Sequence, residues 1–226
     1  MAYHTLLFDA DDTLLDFHKT EEAALASAFA ASHIRLTPEV KSLYNEINQG
    51  LWKSFERGEI DRNTVVYTRF QKLFDALGIQ ADGRAFEDDY QARLGEGAFL
   101  IDGAFELYSR LSQTYDLYIV TNGVSKTQRS RLSASGLLPY TKGVFISEDA
   151  GCQKPMKEYF DYVFSHIPGL DVSRTLIIGD SLTSDIRGGN NAGIDTCWYN
   201  PKGLPNSAGC TVTYEIRQLS ELYQYL

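Results

Sequence analysis

Asp9 and Asp11 stand two residues apart where the apolar run Leu6-Leu7-Phe8 ends, and Thr13 closes the stretch Asp9-Ala10-Asp11-Asp12-Thr13. An extended chain repeats every two residues, so both carboxylates point to one side of a strand end. Two adjacent carboxylates beside an apolar run are unfavourable unless a cation, a shared proton or solvent compensates them. A divalent metal is the compensation that opens chemistry. For the segment taken alone, a plain strand-ending turn is the competing reading.

Three distant stretches supply what such a metal site would need. Leu117-Tyr118-Ile119-Val120 runs into Thr121-Asn122-Gly123, Lys154 precedes Pro155, and Leu176-Ile177-Ile178 runs into Gly179-Asp180 with Asp185 beyond. The apolar runs read as strands buried on both faces, each with a polar group at its carboxyl end. In an open parallel sheet the ligand crevice lies outside those ends. One crevice would then collect two carboxylates, a hydroxyl, a lysine and a second acidic pair.

The order Asp-x-Asp-x-Thr, Thr-Asn-Gly, Lys-Pro, Gly-Asp-x-x-x-x-Asp resembles the four motifs of the haloacid-dehalogenase (HAD) superfamily, spanning Asp9 to Asp185. One departure is Asp12, where many members carry Gly. The stretches Phe8–Leu14, Ile146-Ser147-Glu148 and Thr196-Cys197-Trp198 also resemble the YjjG-type pyrimidine 5'-nucleotidase branch. The resemblance implies an Mg²⁺-dependent phosphomonoester hydrolase working through an aspartyl-phosphate. Asp9 would be the nucleophile, and Asp11 the acid for the leaving oxygen and then the base for water. Thr121 and the backbone N–H of Asn122 would hold phosphoryl oxygens, and Lys154 would neutralise charge. Thr13 would hold the loop around Asp9 at the phosphate. The metal would take carboxylate oxygens of Asp9 and Asp180 and the backbone carbonyl of Asp11, with Asp185 either coordinating or orienting a metal-bound water or ligand. Mg²⁺ suits this oxygen-only set.

On the same resemblance the substrate is a small phosphomonoester, a nucleoside 5'-monophosphate with a pyrimidine base. Sugar phosphates or phosphoglycolate are the alternative, and phosphomutase chemistry shares the same groups. A 2-haloacid dehalogenase needs neither metal nor a leaving-group acid, so Asp11 speaks against it. A silent binding module would have lost the nucleophile or the lysine, and neither is lost.

The elements that must position these groups follow from pattern. Residues 16–97 look almost wholly helical. Thr37-Pro38-Glu39 offers an N-cap with proline at the first helical position, Asp61 can cap another helix ending at Gly78, and a shorter one covers 83–94. About 80 residues is far more than a βα crossover requires, so this interval forms its own helical cap domain. The family carries such an insertion after its first motif. Beyond Gly97, helices at 103–114, 125–135, 157–166 and 184–192 alternate with strands ending near 120, 146, 178 and 199. Alternating βα units imply an α/β fold, a Rossmann-like parallel sheet flanked by helices, built from residues 1–15 and 98–226. Gly188-Gly189 reads as close packing, since it follows no strand in the dinucleotide-binding manner.

Trp52, Phe55, Tyr67, Arg69 and Phe70 are candidates for a cap surface facing the crevice, where aromatics could stack on a base, although packing inside the cap is the default for each taken singly. His18 follows the motif loop and could face substrate; His4, His33 and His166 read as structural or exposed. The net charge of −9 over 226 residues disfavours nucleic-acid polymers. No apolar run is long enough to span a bilayer. Cys152, Cys197 and Cys210 lack zinc spacing and read as reduced thiols. Together with an amino terminus that has no leader pattern, they give a cytoplasmic expectation. A monomer or small homo-oligomer is expected.

Overall fold

In the computed structural model, which describes residues 3–226, the chain divides into two units: 1–17 with 98–226, and 18–97. The first holds a six-stranded parallel sheet in the order β3-β2-β1-β4-β5-β6. Its strands are β1 (Thr5–Phe8), β2 (Asp116–Thr121), β3 (Gly143–Ile146), β4 (Thr175–Gly179), β5 (Asp195–Tyr199) and β6 (Tyr214–Ile216). β1 lies centrally, with Phe8 in register with Ile119 on one side and Ile178 on the other. The chain order reverses beside β1, so the crevice outside its carboxyl end is the sheet's switch point.

The helices of the chain are α1 (Phe17–Ala31), α2 (Pro38–Glu56), α3 (Arg62–Leu77), α4 (Gly83–Glu96), α5 (Ala104–Leu111), α6 (Ser125–Ser135), α7 (Ser147–Ala150), α8 (Lys157–Ser165) and α9 (Arg187–Ala192). Strand alternation divides the core cleanly. Leu6, Phe8, Ile119 and Ile178 pack with Leu107 and Tyr108 of α5 and Leu132 of α6 on one face. Leu7, Tyr118, Val120 and Ile177 pack with Tyr159, Phe160 and Val163 of α8 on the other.

Two elements differ from the pattern-based expectation. The helix read over 184–192 is split into a π-turn, Leu182–Ile186, and the short α9. The turn brings the Asp185 carboxylate back to the Ser181 N–H at 3.1 Å. The short β6 was not foreseen, because Tyr214-Glu215-Ile216 is too brief to show a period. Gly188 and Gly189 do mark close packing: a Cβ there would lie 2.5 Å from the Phe160 ring and 2.6 Å from Thr196.

The 18–97 unit is helical. Thr37 caps α2 by accepting from the Val40 N–H, and Asp61 caps α3 from the Thr64 N–H. Its interior is aromatic: Phe70 lies 5.1 Å from Tyr44, 4.5 Å from Phe86 and 5.1 Å from Tyr90 between ring centroids. Phe55, Arg69 and Phe70 belong to this interior, at 3%, 1% and 0% exposure, so core packing, and not a substrate-facing surface, is their role. Their period places them on the inward stripe of α2 and α3. Trp52 and Tyr67 are half-buried, and His18 is exposed.

Candidate active site

The loop after β1 carries Asp9, Asp11 and Thr13. Asp12 turns it with φ = 57°, a left-handed conformation that favours glycine and that Asp tolerates. Its carboxylate accepts the Phe17 N–H at 3.0 Å, a local bond that glycine would not make.

Lys154 is buried beneath this loop, and its three ammonium protons have three acceptors. Nζ donates to Asp9 Oδ1 at 2.5 Å, to Asp185 Oδ1 at 2.7 Å and to the Val120 carbonyl at 2.8 Å. The lysine's own loop is tied to β2 by Asn122. Its amide donates to the Lys154 carbonyl and accepts the Lys154 N–H, both at 2.9 Å. The Asn122 side chain is thus a strut for Lys154, a role distinct from the phosphate contact expected of its backbone N–H.

Carboxylate oxygens of Asp9, Asp180 and Asp185 lie within 4.8 Å of one another. Gly179 makes this possible, since a Cβ there would collide with the Asp185 carboxylate. The Trp198 indole holds the following turn by donating to the Asp180 carbonyl at 2.8 Å. Three carboxylates share one ammonium, so negative charge is in excess. Burial pushes the Asp9 carboxyl up to about 8, with Lys154 opposing and Asp185 and Asp11 adding to the rise. Asp180 is pushed well above the usual carboxylate range by burial and by the charges of Asp9 and Asp185. A set of hard oxygen donors with uncompensated negative charge fits Mg²⁺. Both Asp185 oxygens are engaged, by Lys154 and by the Ser181 N–H. Asp185 therefore orients the lysine whatever else it touches.

The Asp11 carboxylate stands apart from that cluster. Oδ2 accepts from Gln128 Nε2 at 2.8 Å and Oδ1 from Arg131 Nη1. Its backbone carbonyl is the part of Asp11 left for the expected metal contact. Thr121 Oγ1 accepts from Gln128 Nε2 at 2.8 Å and from the Gly123 N–H at 3.3 Å, leaving its own proton to donate. Thr13 is fully buried and its hydroxyl has no hydrogen-bond partner among the described residues, so it does not tie the loop by such a bond.

Gln128 and Arg131 were missed in the sequence. A signal was present: positions 128, 131, 132 and 135 form the inward stripe of α6, and three of the four are polar. A glutamine and an arginine on a buried face need partners, and Asp11 is one.

The chain matches the model of haloacid dehalogenase-like hydrolases over residues 3–193. It is 56% identical to the HAD-hydrolase YfnB of Bacillus subtilis (strain 168), across 99% of this chain and 95% of that one. A magnesium-bound crystal structure of YfnB superposes with a TM-score of 0.95 over 100% of this chain and 99% of that chain. The pyrimidine 5'-nucleotidase PynA of Streptococcus pneumoniae is 41% identical, across 100% of this chain and 96% of that protein. The pyrimidine 5'-nucleotidase YjjG of Escherichia coli (strain K12) is 33% identical, across 100% and 99%. With its fold, its motif order and these matches, the chain belongs to the haloacid dehalogenase-like hydrolase family.

Proposed function

We propose that this protein is a magnesium-dependent phosphomonoesterase acting on nucleoside 5'-monophosphates, pyrimidine ones first. The observation that carries the reaction class is Lys154, fully paired with Asp9 and Asp185 beneath a three-carboxylate cluster, with the Thr121 hydroxyl on the neighbouring strand end. An ionised carboxylate attacks phosphorus only where repulsion is relieved. Lys154 relieves it at Asp9, and Thr121 donates to a phosphoryl oxygen. Asp9 and Asp180, with the Asp11 carbonyl, would hold Mg²⁺. When bound, the ion would supply positive charge to offset that of the phosphoryl group.

In the first step an Asp9 oxygen bonds to phosphorus, the bond to the leaving oxygen breaks, and Asp11 gives that oxygen its proton. In the second, water bonds to phosphorus, its proton passes to Asp11, and Asp9 is released with inorganic phosphate. The substrate class is supported by PynA and YjjG, both named pyrimidine 5'-nucleotidases and both aligned along the whole chain. A cytoplasmic setting belongs to the same reading, since the three cysteines are free thiols. A panel of phosphomonoesters with and without Mg²⁺ tests the proposal. UMP, dUMP and dTMP should be hydrolysed fastest and only with the metal. Faster turnover of sugar phosphates or phosphoglycolate would overturn the nucleotide assignment.

A further inference from the structure

We propose that Gln128 and Arg131 are positioning residues that aim the Asp11 carboxylate at the leaving oxygen, and that Gly123 is glycine to admit Gln128. This rests on the reading of Asp11 as the acid and base of a phosphomonoesterase.

A carboxylate on a loop turns freely about two bonds, and Asp11 is partly exposed, with 28% of its side chain accessible. Each of its oxygens nonetheless accepts one bond from one helix, Gln128 Nε2 on Oδ2 at 2.8 Å and Arg131 Nη1 on Oδ1, which leaves a second lone pair on each oxygen for the transferred proton. The two donors are themselves fixed. Arg131 is 1% exposed, and its guanidinium carbon stands 5.4 Å from the centroid of the Phe17 ring. Nη1 also donates to Gln128 Oε1 at 2.8 Å. A guanidinium can only donate, so this bond sets which end of the Gln128 amide is oxygen and turns Nε2 to Asp11.

The same Nε2 donates to Thr121 Oγ1 at 2.8 Å. One amide therefore spans the group that moves the proton and the hydroxyl proposed to hold the phosphoryl oxygen. It sets their separation from a rigid helix, as a precise site requires. Gly123 lies under that amide. Its φ is not in the left-handed region, and a Cβ there would sit 2.5 Å from Gln128 Cγ and 2.8 Å from Nε2. The glycine of Thr-Asn-Gly is thus explained by space for Gln128, with no demand on backbone conformation.

The test is leaving-group dependence, which a merely structural role would not alter. A poor leaving group, the alkoxide of UMP, needs Asp11's proton, whereas 4-nitrophenolate leaves with little help. Gln128→Met, Gly123→Ala and Arg131→Met should each lower kcat/KM for UMP, which reports steps through leaving-group departure, by about 100-fold. They should lower kcat/KM for 4-nitrophenyl phosphate less than about tenfold, while kcat can fall on both esters because the aspartyl-phosphate they share also needs Asp11. Arg131→Lys should recover part of the loss. In an Asp11→Asn background, Gln128→Met should add almost nothing. Arg131 is buried, so Arg131→Met is scored only if its melting curve is native-like; Gln128→Met and Gly123→Ala carry the test regardless. Equal loss of kcat/KM on both substrates, undiminished rates, or rates that rise in folded variants would overturn the proposal. Should the unaltered enzyme release phosphate from neither ester with Mg²⁺, it is the phosphomonoesterase reading that fails instead.

Discussion

In the helical unit, Arg69 is 1% exposed and meets the Glu87 carboxylate through two bonds of 2.7 and 2.6 Å, while a third N–H reaches Asn48 Oδ1 at 3.0 Å. In the sheet unit, Lys154 is equally buried but faces Asp9 and Asp185, with the Asp180 carboxylate beside them. The first arrangement is one cation to one carboxylate, bidentate and satisfied. The second is one cation to three carboxylates, and burial, with the neighbouring carboxylate charges adding to it, pushes Asp9 and Asp180 upward. Burial alone does not tell the two apart, and neither does the presence of an ion pair. The charge balance does: a closed pair holds helices together, whereas an over-acidic cluster at strand ends calls for a cation.

The largest way to sharpen this contrast is Asp9→Asn. It should lower phosphate release at least about 10,000-fold while leaving the melting temperature unchanged or higher, because it removes a surplus charge. Undiminished release from a clean preparation would eliminate Asp9 as the nucleophile. In the helical unit the effect should fall on stability. Arg69→Met strands a buried Glu87 and should cost about 3–5 kcal/mol in denaturant unfolding, and adding Glu87→Leu should recover most of it. If the single variant unfolds like the parent, the pair is not the structural bond described.

Magnesium should separate the two regions next. At a concentration about a hundredfold above its dissociation constant, Mg²⁺ should stabilise the protein by about 2.7 kcal/mol. Asp180→Asn should abolish that gain, while the Arg69–Glu87 pair should be indifferent to the ion. A parent melting curve that ignores Mg²⁺ would sink the metal assignment. The smallest effect concerns Glu21, whose carboxylate accepts from Tyr44 at 3.1 Å, Tyr90 at 3.3 Å and Asn48 at 3.4 Å. Burial raises its pKa above the unfolded value. The folded state then holds its proton longer, so this contribution is full below the ordinary carboxylate range and is lost as pH rises through the raised folded value. As pH rises from the ordinary carboxylate range toward neutrality, melting temperatures should therefore decline less in Glu21→Gln than in the parent. Identical slopes would remove Glu21 from the account.

Much of the fold was legible because its signals are local. The apolar runs at Leu6–Phe8, Leu117–Val120 and Leu176–Ile178 needed only a buried strand's composition, and Thr37, Asp61 and Gly78 marked helix ends through caps that act within one turn. Asp9, Asp180 and Asp185 could be named because carboxylates beside buried strand ends are costly unless used, and Lys154 because it completes a motif order resembling the family's. The β6 edge and the π-turn before α9 were hidden, since three residues carry no period and the turn answers to the Asp185 bond.

What the sequence determined by itself was the inventory: which residue types stand at which strand ends, and in what order. Only the tertiary structure decided their partners. It turned Asn122 into a strut for Lys154, left the Thr13 hydroxyl without a hydrogen-bond partner among the described residues, and decided for Phe55, Arg69 and Phe70 between core packing and an exposed surface. It also brought Gln128 and Arg131 to Asp11, 117 and 120 residues away in the chain. Hydrogen bonds and burial depend on distances across the sheet, and spacing along one strand or helix does not contain those distances.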